Sequence, residues 1–289
     1  MSKPFSIVGI LNVTPDSYVD GGRYTSLDSA LRRIEAMLGE GADIVEIGGE
    51  STGPNSKDVS PEEERSRALP VLIEARKRWA DLPISIDTAK STIAKEALDA
   101  GAAMINDVTA GRGDSAMFQV VAVHPSKPKL VLMHAKDSAS RTTIEARHYD
   151  DVMGTVIEFL EKQIEIALEA GVQRSQIILD PGLGHFLSSE AKYSYTILAQ
   201  LSRLAALGFP ILVSPSRKSF LAGPENLKAS DRLAGTIAAS AIAILNGAHS
   251  IRTHDVAEVR RGCEVAAALL DAVSLPSPRS GKRAMSNEQ

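Results

Sequence analysis

The chain has 289 residues, of which 44% are hydrophobic and 24% charged, and this composition excludes a disordered or fibrous protein. The net charge of −4 provides no basic surface for nucleic acid, and no apolar run reaches the roughly 20 residues that cross a bilayer. The single cysteine, Cys263, lies in an apolar helical pattern and cannot form an internal disulfide, so we expect a core residue and a reducing, cytoplasmic location.

Short apolar runs rich in β-branched residues alternate along the chain with longer segments of helical period. The predicted strands are Phe5–Val13, Asp43–Gly48, Ile84–Asp87, Met104–Val108, Lys129–His134, Ile177–Asp180, Pro210–Val213 and Ser250–His254. Most are apolar on both faces, as parallel strands covered by helices are. Eight such units without an antiparallel signal predict an α/β protein, a single-domain (β/α)8 TIM barrel over residues 1–273. An open doubly wound sheet is the alternative.

Helix signals fill the segments between the predicted strands. Ser60, Pro61 and Glu63 supply an N-cap, a first-turn proline and a capping-box glutamate, which predict a helix start. One apolar stripe predicts a later helix and comprises Met153, Val156, Ile157, Leu160, Ile164, Ala167 and Leu168. The run Leu233–Leu245 predicts a buried helix, whereas residues 274–289 lack apolar periodicity and predict a disordered tail.

Polar side chains stand at or just after the end of nearly every predicted strand. They are Asn12, Glu46, Glu50, Asp87, Asn106, Asp107, His134, Asp180, Lys218, Arg252 and His254. In barrel enzymes the catalytic groups come from the carboxyl ends of the strands and from the loops that follow. A solvated loop residue explains any one of these positions, but not the whole set, and we therefore expect them to form a single active site.

The residue types divide this predicted site into two sides. Asp87, Asn106 and Asp180 offer acceptors that suit a planar heterocycle with several N–H donors. The segments Ser216–Ser219 and Arg252–His254 form a cationic side that suits phosphate or diphosphate oxygens. The predicted substrate therefore carries a donor-rich ring at one end and a phosphorylated group at the other.

The loop after the first predicted strand is rich in oxygen ligands, with Asn12 at its root and Asp16, Ser17 and Asp20 further along. Magnesium (Mg²⁺) usually keeps several waters and takes one or two protein ligands while it bridges phosphate oxygens. We therefore expect Mg²⁺ at Asn12. An ordinary turn around Pro15 is the alternative.

Eight short motifs together resemble those of the dihydropteroate synthase family, and they follow the family's order along the chain. The matching segments are Gly9–Ser17, Asp43–Thr52, Ile84–Thr88, Ile105–Val108, Met133–His134, Asp180–Gly184, Ser216–Ser219 and Arg252–Asp255. The resemblance implies a homodimeric barrel that joins p-aminobenzoate to a pterin diphosphate. It also implies a dissociative reaction, in which cleavage of the C–O bond releases diphosphate before the aryl amine attacks.

The resemblance also implies roles for individual residues of this chain. The catalytic residues it implies are Asp87, Asp180, Lys218 and Glu46. Those implied to bind the pterin are Asp87, Asn106, Asp180, Lys218 and Met133. Those implied to bind the diphosphate are Asn12, Arg252 and His254, with Mg²⁺ at Asn12. Those implied to border the p-aminobenzoate site are Thr52, Pro54, His185, Phe186, Ser216 and Lys218.

Four departures from the family pattern cluster around the amine site. Glu46 replaces an Asp, Gly53 replaces an Arg, Ser214 replaces a Gly, and His185-Phe186-Leu187 replaces Phe-Gly-Lys. Lys57 and Arg112 are the candidates to replace the missing loop arginine. Because His185 and Phe186 reshape the amine pocket in this interpretation, we expect weak inhibition by sulfonamides, which amounts to sulfonamide resistance.

Two other functions fit parts of the sequence. A methyltransferase that passes a methyl group from methyltetrahydrofolate to a corrinoid would share the barrel and the pterin carboxylates, but it needs no diphosphate site. A pterin-binding paralogue without synthase activity is suggested by Gly53, Glu46 and the altered loop at His185.

Overall fold

The computed structural model describes residues 4–14, 26–54 and 56–274. Asp16, Ser17 and Asp20 of the predicted magnesium loop lie outside the described residues, and so do residues 275–289 of the predicted tail.

The strands are β1 (Ser6–Asn12), β2 (Ile44–Gly48), β3 (Ile84–Asp87), β4 (Met104–Asp107), β5 (Lys129–Met133), β6 (Ile177–Asp180), β7 (Leu212–Val213) and β8 (Ser250–Thr253). They form one parallel sheet in the order β6-β5-β4-β3-β2-β1-β8-β7. A parallel bridge between Leu179 and Ile211 joins β6 to β7, so the sheet closes on itself. The predicted (β/α)8 barrel is confirmed.

The helices of the described chain are α1 (Leu27–Gly39), α2 (Pro61–Arg78), α3 (Ser91–Asp99), α4 (Met117–Val123), α5 (Val152–Glu169), α6 (Ala191–Ala199), α7 (Leu201–Ala205), α8 (Leu233–Leu245) and α9 (Val256–Ser274). The predicted start of α2 is confirmed, because the Ser60 hydroxyl accepts a hydrogen bond from the Glu63 backbone N–H at 3.2 Å. The predicted stripe on α5 is buried except at its edge. There Leu168 lies roughly 60° around the helix from Met153 and is 40% exposed.

Apolar side chains fill the barrel at the amino ends of its strands. Val8, Met104, Val131 and Leu212 form one layer inside the sheet, and a larger cluster fills the space between strands and helices. Cys263 is fully buried in that larger cluster, as predicted. Because the interior is packed, the carboxyl ends of the strands are left as the place for a site.

Helices α8 and α9 pack against each other and leave apolar side chains on the surface. The exposed residues, which we call the α8–α9 apolar face, are Ile242, Leu245, Val265, Leu269, Leu270 and Val273. The prediction of a helix over Leu233–Leu245 is confirmed, but one side of that helix is exposed. Of the helices described, none combines the length and the apolar character needed to cross a membrane.

Candidate active site

Two neighbouring cavities open beside the carboxyl ends of the strands. The strand-end cavity, of about 170 Å³, is lined by Ile10, Asn12, Thr14, Glu50, Ser51, Thr52, Gly53, Asp87, Phe186, Ser214, Ser216, Lys218, Arg252 and His254. The loop cavity, of about 290 Å³, is lined by Thr52, Gly53, Pro54, Thr142, Ile144, Leu183, His185, Phe186, Ser216, Arg217, Lys218, Ser219, Ala229 and Arg232. Because Thr52, Phe186, Ser216 and Lys218 line both cavities, a molecule in one can meet a molecule in the other.

Glu46 is fully buried and is the centre of a polar network behind the strand-end cavity. Its Oε2 accepts a hydrogen bond from the Ser85 hydroxyl at 3.0 Å. Its Oε1 accepts from the Asn106 side-chain amide at 3.3 Å and from the Arg252 Nε–H. Glu46 therefore fixes the orientation of two predicted site residues.

Arg252 joins this network to the cavity. Its Nη2 donates to Asp87 Oδ2 at 2.8 Å, while its Nε–H is held by Glu46. The sequence pattern predicted a cationic side at Arg252, separate from the carboxylates. In the structure the guanidinium instead lies between two carboxylates and compensates their charge.

Two buried aspartates have perturbed acidities. Burial raises the pKa of Asp87 to about 7, although Arg252 opposes this. Burial likewise raises the pKa of Asp180 to about 6, although Lys218 opposes it. Raised carboxyl pKa values beside a cavity are typical of functional sites.

The turn after β6 holds Asp180 in place and depends on a glycine. Asp180 Oδ1 accepts from the Gly182 backbone N–H at 2.7 Å. At Gly182 the φ angle is +68°, and a Cβ atom there would lie 2.2 Å from the His134 carbonyl oxygen. Only glycine fits at this position.

Asn106 presents a buried acceptor whose orientation is fixed. Its side-chain nitrogen donates to Glu46, and no donor among the described residues reaches its Oδ1. A buried acceptor without a donor is costly, so a ligand that brings an N–H group would gain from this position. Met133, another predicted pterin residue, is buried in a small cluster against which Phe186 packs.

Lys218 is the cation that lines both cavities. Burial lowers its pKa to about 8, although Asp180 opposes this. Its Nζ donates to the Leu183 carbonyl at 3.3 Å and lies 4.7 Å from the centroid of the Phe186 ring. The preceding residue, Arg217, has a left-handed φ of +53°, and its ion pair with Asp255 compensates its charge.

His254 is a neutral hydrogen-bonding group and not the cation that the sequence pattern predicted. Burial, reinforced by Arg252, lowers its pKa to about 3. Its Nδ1 lies 2.9 Å from the Ser216 hydroxyl, and its Nε2 lies 3.4 Å from the Asn12 side-chain nitrogen. The three side chains form a line along one wall of the strand-end cavity.

The oxygen of the Asn12 amide fits the predicted magnesium site. Because the amide nitrogen faces His254, the oxygen is the atom that can serve a hard cation. Among the residues that the structure describes, no cluster of three His, Cys, Asp or Glu side chains could hold a metal ion. An ion at Asn12 would therefore depend on water and substrate oxygens for its other ligands.

Not every polar strand end enters the site, and the prediction is wrong for Asp107 and His134. Asp107 Oδ2 accepts from the Gly111 backbone N–H at 2.7 Å and stabilises the turn after β4. The ring of His134 packs edge-on against Phe159 with centroids 5.0 Å apart. Successive residues of a strand point to opposite faces, so Asn106 faces the network and its neighbour cannot.

Neither candidate for the missing loop cation lines the two cavities. Arg112 donates to the carbonyl oxygens of Ala135 and Asp137, and Lys57 lines a separate cavity. Sequence reasoning missed Thr142 and Arg232, which line the loop cavity. They follow no strand end and belong to no motif, so no local signal marked them.

The chain matches one known protein family over most of its length. The family described as pterin binding enzyme matches residues 8–254. The chain is 40% identical over 264 residues to the dihydropteroate synthase of Synechocystis sp., covering 91% of this chain and 89% of the relative.

Two solved structures carry the same fold and describe bound molecules. The Yersinia pestis dihydropteroate synthase in a sulfonamide drug complex has a TM-score of 0.86 and 35% identity, over 92% of this chain and 94% of that one. The Coxiella burnetii dihydropteroate synthase in complex with pteroic acid has a TM-score of 0.84 and 34% identity, over 94% and 95% of the two chains.

Proposed function

The chain belongs to the dihydropteroate synthases of the pterin-binding enzyme family, and from this premise we propose the reaction that its two cavities perform. It condenses 6-hydroxymethyl-7,8-dihydropterin diphosphate with p-aminobenzoate, giving 7,8-dihydropteroate and diphosphate. The observation that carries the proposal is the position of Lys218, which lines both cavities beside the buried carboxylates Asp87 and Asp180.

The pterin occupies the strand-end cavity in this proposal. Its ring N–H and amino groups donate to Asp87, Asp180 and the Asn106 oxygen, an acceptor that lacks a donor within the described chain. Pairing with the ring recovers the cost of burying these acceptors. Met133 lies in the small apolar cluster beside this part of the cavity.

The diphosphate lies toward Asn12, Arg252 and His254. The neutral His254 and the Ser216 hydroxyl offer hydrogen bonds, while Arg252 and Lys218 offer positive charge. Mg²⁺, when bound at the Asn12 oxygen, would supply charge neutralisation to the departing diphosphate.

The p-aminobenzoate occupies the loop cavity between Thr52, Pro54, His185 and Phe186. Its amine points toward Lys218 and Ser216, where the two cavities meet. Cleavage of the C–O bond leaves a cationic pterin methylene that the carboxylates stabilise, and the weakly basic amine then attacks and loses one proton to water or to the released diphosphate. In this mechanism no side chain has to act as a strong base.

A coupled assay tests the function directly. Release of diphosphate from the pterin substrate should depend on p-aminobenzoate and on Mg²⁺. Asp180→Ala and Lys218→Ala should each abolish it. Lys95→Ala and Asp99→Ala are matched controls, because this pair lies on the surface of α3 with side chains 64% and 54% exposed. Near-wild-type rates in both active-site variants would refute the site.

The corrinoid methyltransferase and the inactive paralogue find no specific support. The relatives that match most of the chain are dihydropteroate synthases. A methyltransferase needs no diphosphate site, so it would not require the polar side chains near Asn12. Methyl transfer without diphosphate release would revive that alternative.

Weak inhibition by sulfonamides follows from the position of Phe186. The ring lines both cavities and lies against the Lys218 ammonium group, where the family pattern has a glycine. A ring in place of a glycine changes the shape of the cavity that p-aminobenzoate and sulfonamides would share. The Yersinia pestis relative, in contrast, is described with a sulfonamide bound.

A homodimer formed through the α8–α9 apolar face completes the proposal. Val265 and Leu269 are one helical turn apart and are 63% and 52% exposed. Contiguous exposed apolar patches mark association surfaces. The cytoplasmic location stays a prediction from composition.

A further inference from the structure

The loop between β5 and α5 crosses over the mouth of the barrel without regular secondary structure. Most of its residues from 143 to 150 are exposed, but Thr142 is only 4% exposed. Thr142 also lines the loop cavity, although no motif marked it. A single buried threonine in an exposed loop indicates a specific contact.

Thr142 bonds to two loops on different sides of the loop cavity. Its backbone N–H donates to the Thr52 carbonyl at 3.2 Å, and its hydroxyl donates to the His185 carbonyl at 2.8 Å. Thr52 follows β2, whereas His185 follows β6. Thr142 thus connects two walls that otherwise belong to separate strand-end loops.

The position of Thr142 is fixed by its own loop. The carboxylate of Asp137 accepts from the Thr143 backbone N–H at 3.0 Å, and its Oδ2 lies 3.2 Å from the Thr142 hydroxyl oxygen, whose single proton is directed to the shorter contact with His185. Arg112 donates to the Asp137 carbonyl at 2.6 Å, and Arg147 N–H donates to the Ser188 hydroxyl at 3.0 Å. A loop anchored at both ends can hold Thr142 in one place.

We infer that Thr142 is a positioning residue for the amine substrate, because it sets the separation of the Thr52 and His185 walls between which p-aminobenzoate binds. The inference rests on the proposed function. Neither Thr142 nor His185, the partner of its hydroxyl, lines the strand-end cavity, so loss of the hydroxyl should affect the amine and not the pterin.

Thr142→Val removes the hydroxyl while keeping the β-branched shape and the backbone N–H bond. The KM for p-aminobenzoate should rise about 5- to 10-fold, the range expected when a buried carbonyl loses its donor. The kcat and the KM for the pterin diphosphate should change less than about 2-fold. Thr142→Ser keeps the hydroxyl and should restore a KM close to that of the wild type.

Thr143→Val is the matched control, because it makes the same chemical change one residue away. Its hydroxyl bonds only within the loop, to Lys136 and Asp137, in the contacts described. The control should leave the KM for p-aminobenzoate unchanged. If Thr142→Val does not fold, as judged by its melting temperature, Thr142→Ala and Thr142→Ser carry the comparison.

Three results would overturn the inference. The first is an unchanged KM for p-aminobenzoate in folded Thr142 variants that lack the hydroxyl. The second is an equal rise of this KM in Thr143→Val. The third is an equal rise of KM for both substrates. Failure of the wild-type protein to form dihydropteroate would instead refute the proposed function, so the two failures are distinguishable.

Discussion

Replacing Glu46 by Gln tests how the buried charges of the site depend on one another. The change keeps the size of the side chain but removes a negative charge from a residue that bonds Arg252, Asn106 and Ser85. The charge on Glu46 helps to raise the pKa of Asp87 and of Asp180. Its loss should therefore lower the pKa of both aspartates.

The size of the effect follows from the arrangement around Arg252. The guanidinium separates the Glu46 and Asp87 carboxylates by roughly 6 Å, and at an effective dielectric constant of about 20 two such charges repel by about 3 kcal/mol. This energy corresponds to about 2 pKa units. We therefore expect the pKa of Asp87 to fall by about this amount, and Arg252, which then interacts with Asp87 alone, acts in the same direction.

The assay is the pH dependence of kcat/KM for the pterin diphosphate, which reports the groups of the free enzyme. In the wild type the acid limb should lie near pH 7, since Asp87 has a pKa of about 7 and its protonated form, which is uncharged, accepts the pterin N–H groups more weakly. In Glu46→Gln the limb should move to lower pH. Ser85→Ala removes a neutral hydrogen bond from Glu46 and should leave the limb in place. If the acid limb of the kcat/KM profile stays in place or moves to higher pH in Glu46→Gln, the reasoning is refuted.

Four further predictions concern the other parts of the site. Because the pKa of Lys218 is about 8, kcat/KM for the pterin substrate should fall above pH 8. Lys218→Arg should move this decrease to higher pH, and a decrease at an unchanged pH would contradict the role of Lys218. Phe186→Gly should lower the ratio of the sulfonamide Ki to the p-aminobenzoate KM by about 10-fold, which corresponds to about 1.4 kcal/mol of binding free energy, and an unchanged ratio would exclude Phe186 as the cause. Chelation by EDTA should stop diphosphate release until Mg²⁺ is restored, and Asn12→Ala should raise the Mg²⁺ concentration required; activity in EDTA would argue against the metal. Val265→Glu with Leu269→Glu should convert a dimer to a monomer in sedimentation, because the charges would be buried at the interface; a persistent dimer places the interface elsewhere.

The fold could be predicted from the sequence because the signals of parallel strands and amphipathic helices are local. The predicted strands Ile84–Asp87 and Ile177–Asp180 match β3 and β6 at both ends. The prediction was longer than the structure at β7, where Pro210 lacks an N–H for the ladder and the strand begins at Leu212.

The site was predictable only as far as it is built from strand ends. Asn12, Asp87 and Lys218 line the strand-end cavity, as expected. The pairing of Arg252 with two carboxylates depends on contacts across the barrel, which residue types at single strand ends do not reveal. Thr142 could not be predicted for the same reason, because the carbonyl groups that it bonds, those of Thr52 and His185, are more than forty residues away along the chain.

The balance of charge in the buried network explains why the reaction can proceed through a cation. When all are ionised, the carboxylates of Glu46, Asp87 and Asp180 interact with two cations in the described part of the chain, Arg252 and Lys218, which leaves one negative charge in excess. His254 adds no positive charge, because its pKa is about 3. Burial is the main cause of the raised pKa values of both aspartates, and the charge on Glu46 adds to it, so the negative excess is unfavourable in the protein without substrate. A pterin methylene cation would neutralise it at the moment of C–O cleavage, so the network stabilises the transition state more than the bound substrate. Glu46→Gln removes the excess, and it should therefore lower kcat at pH values where both aspartates are ionised, in addition to moving the acid limb.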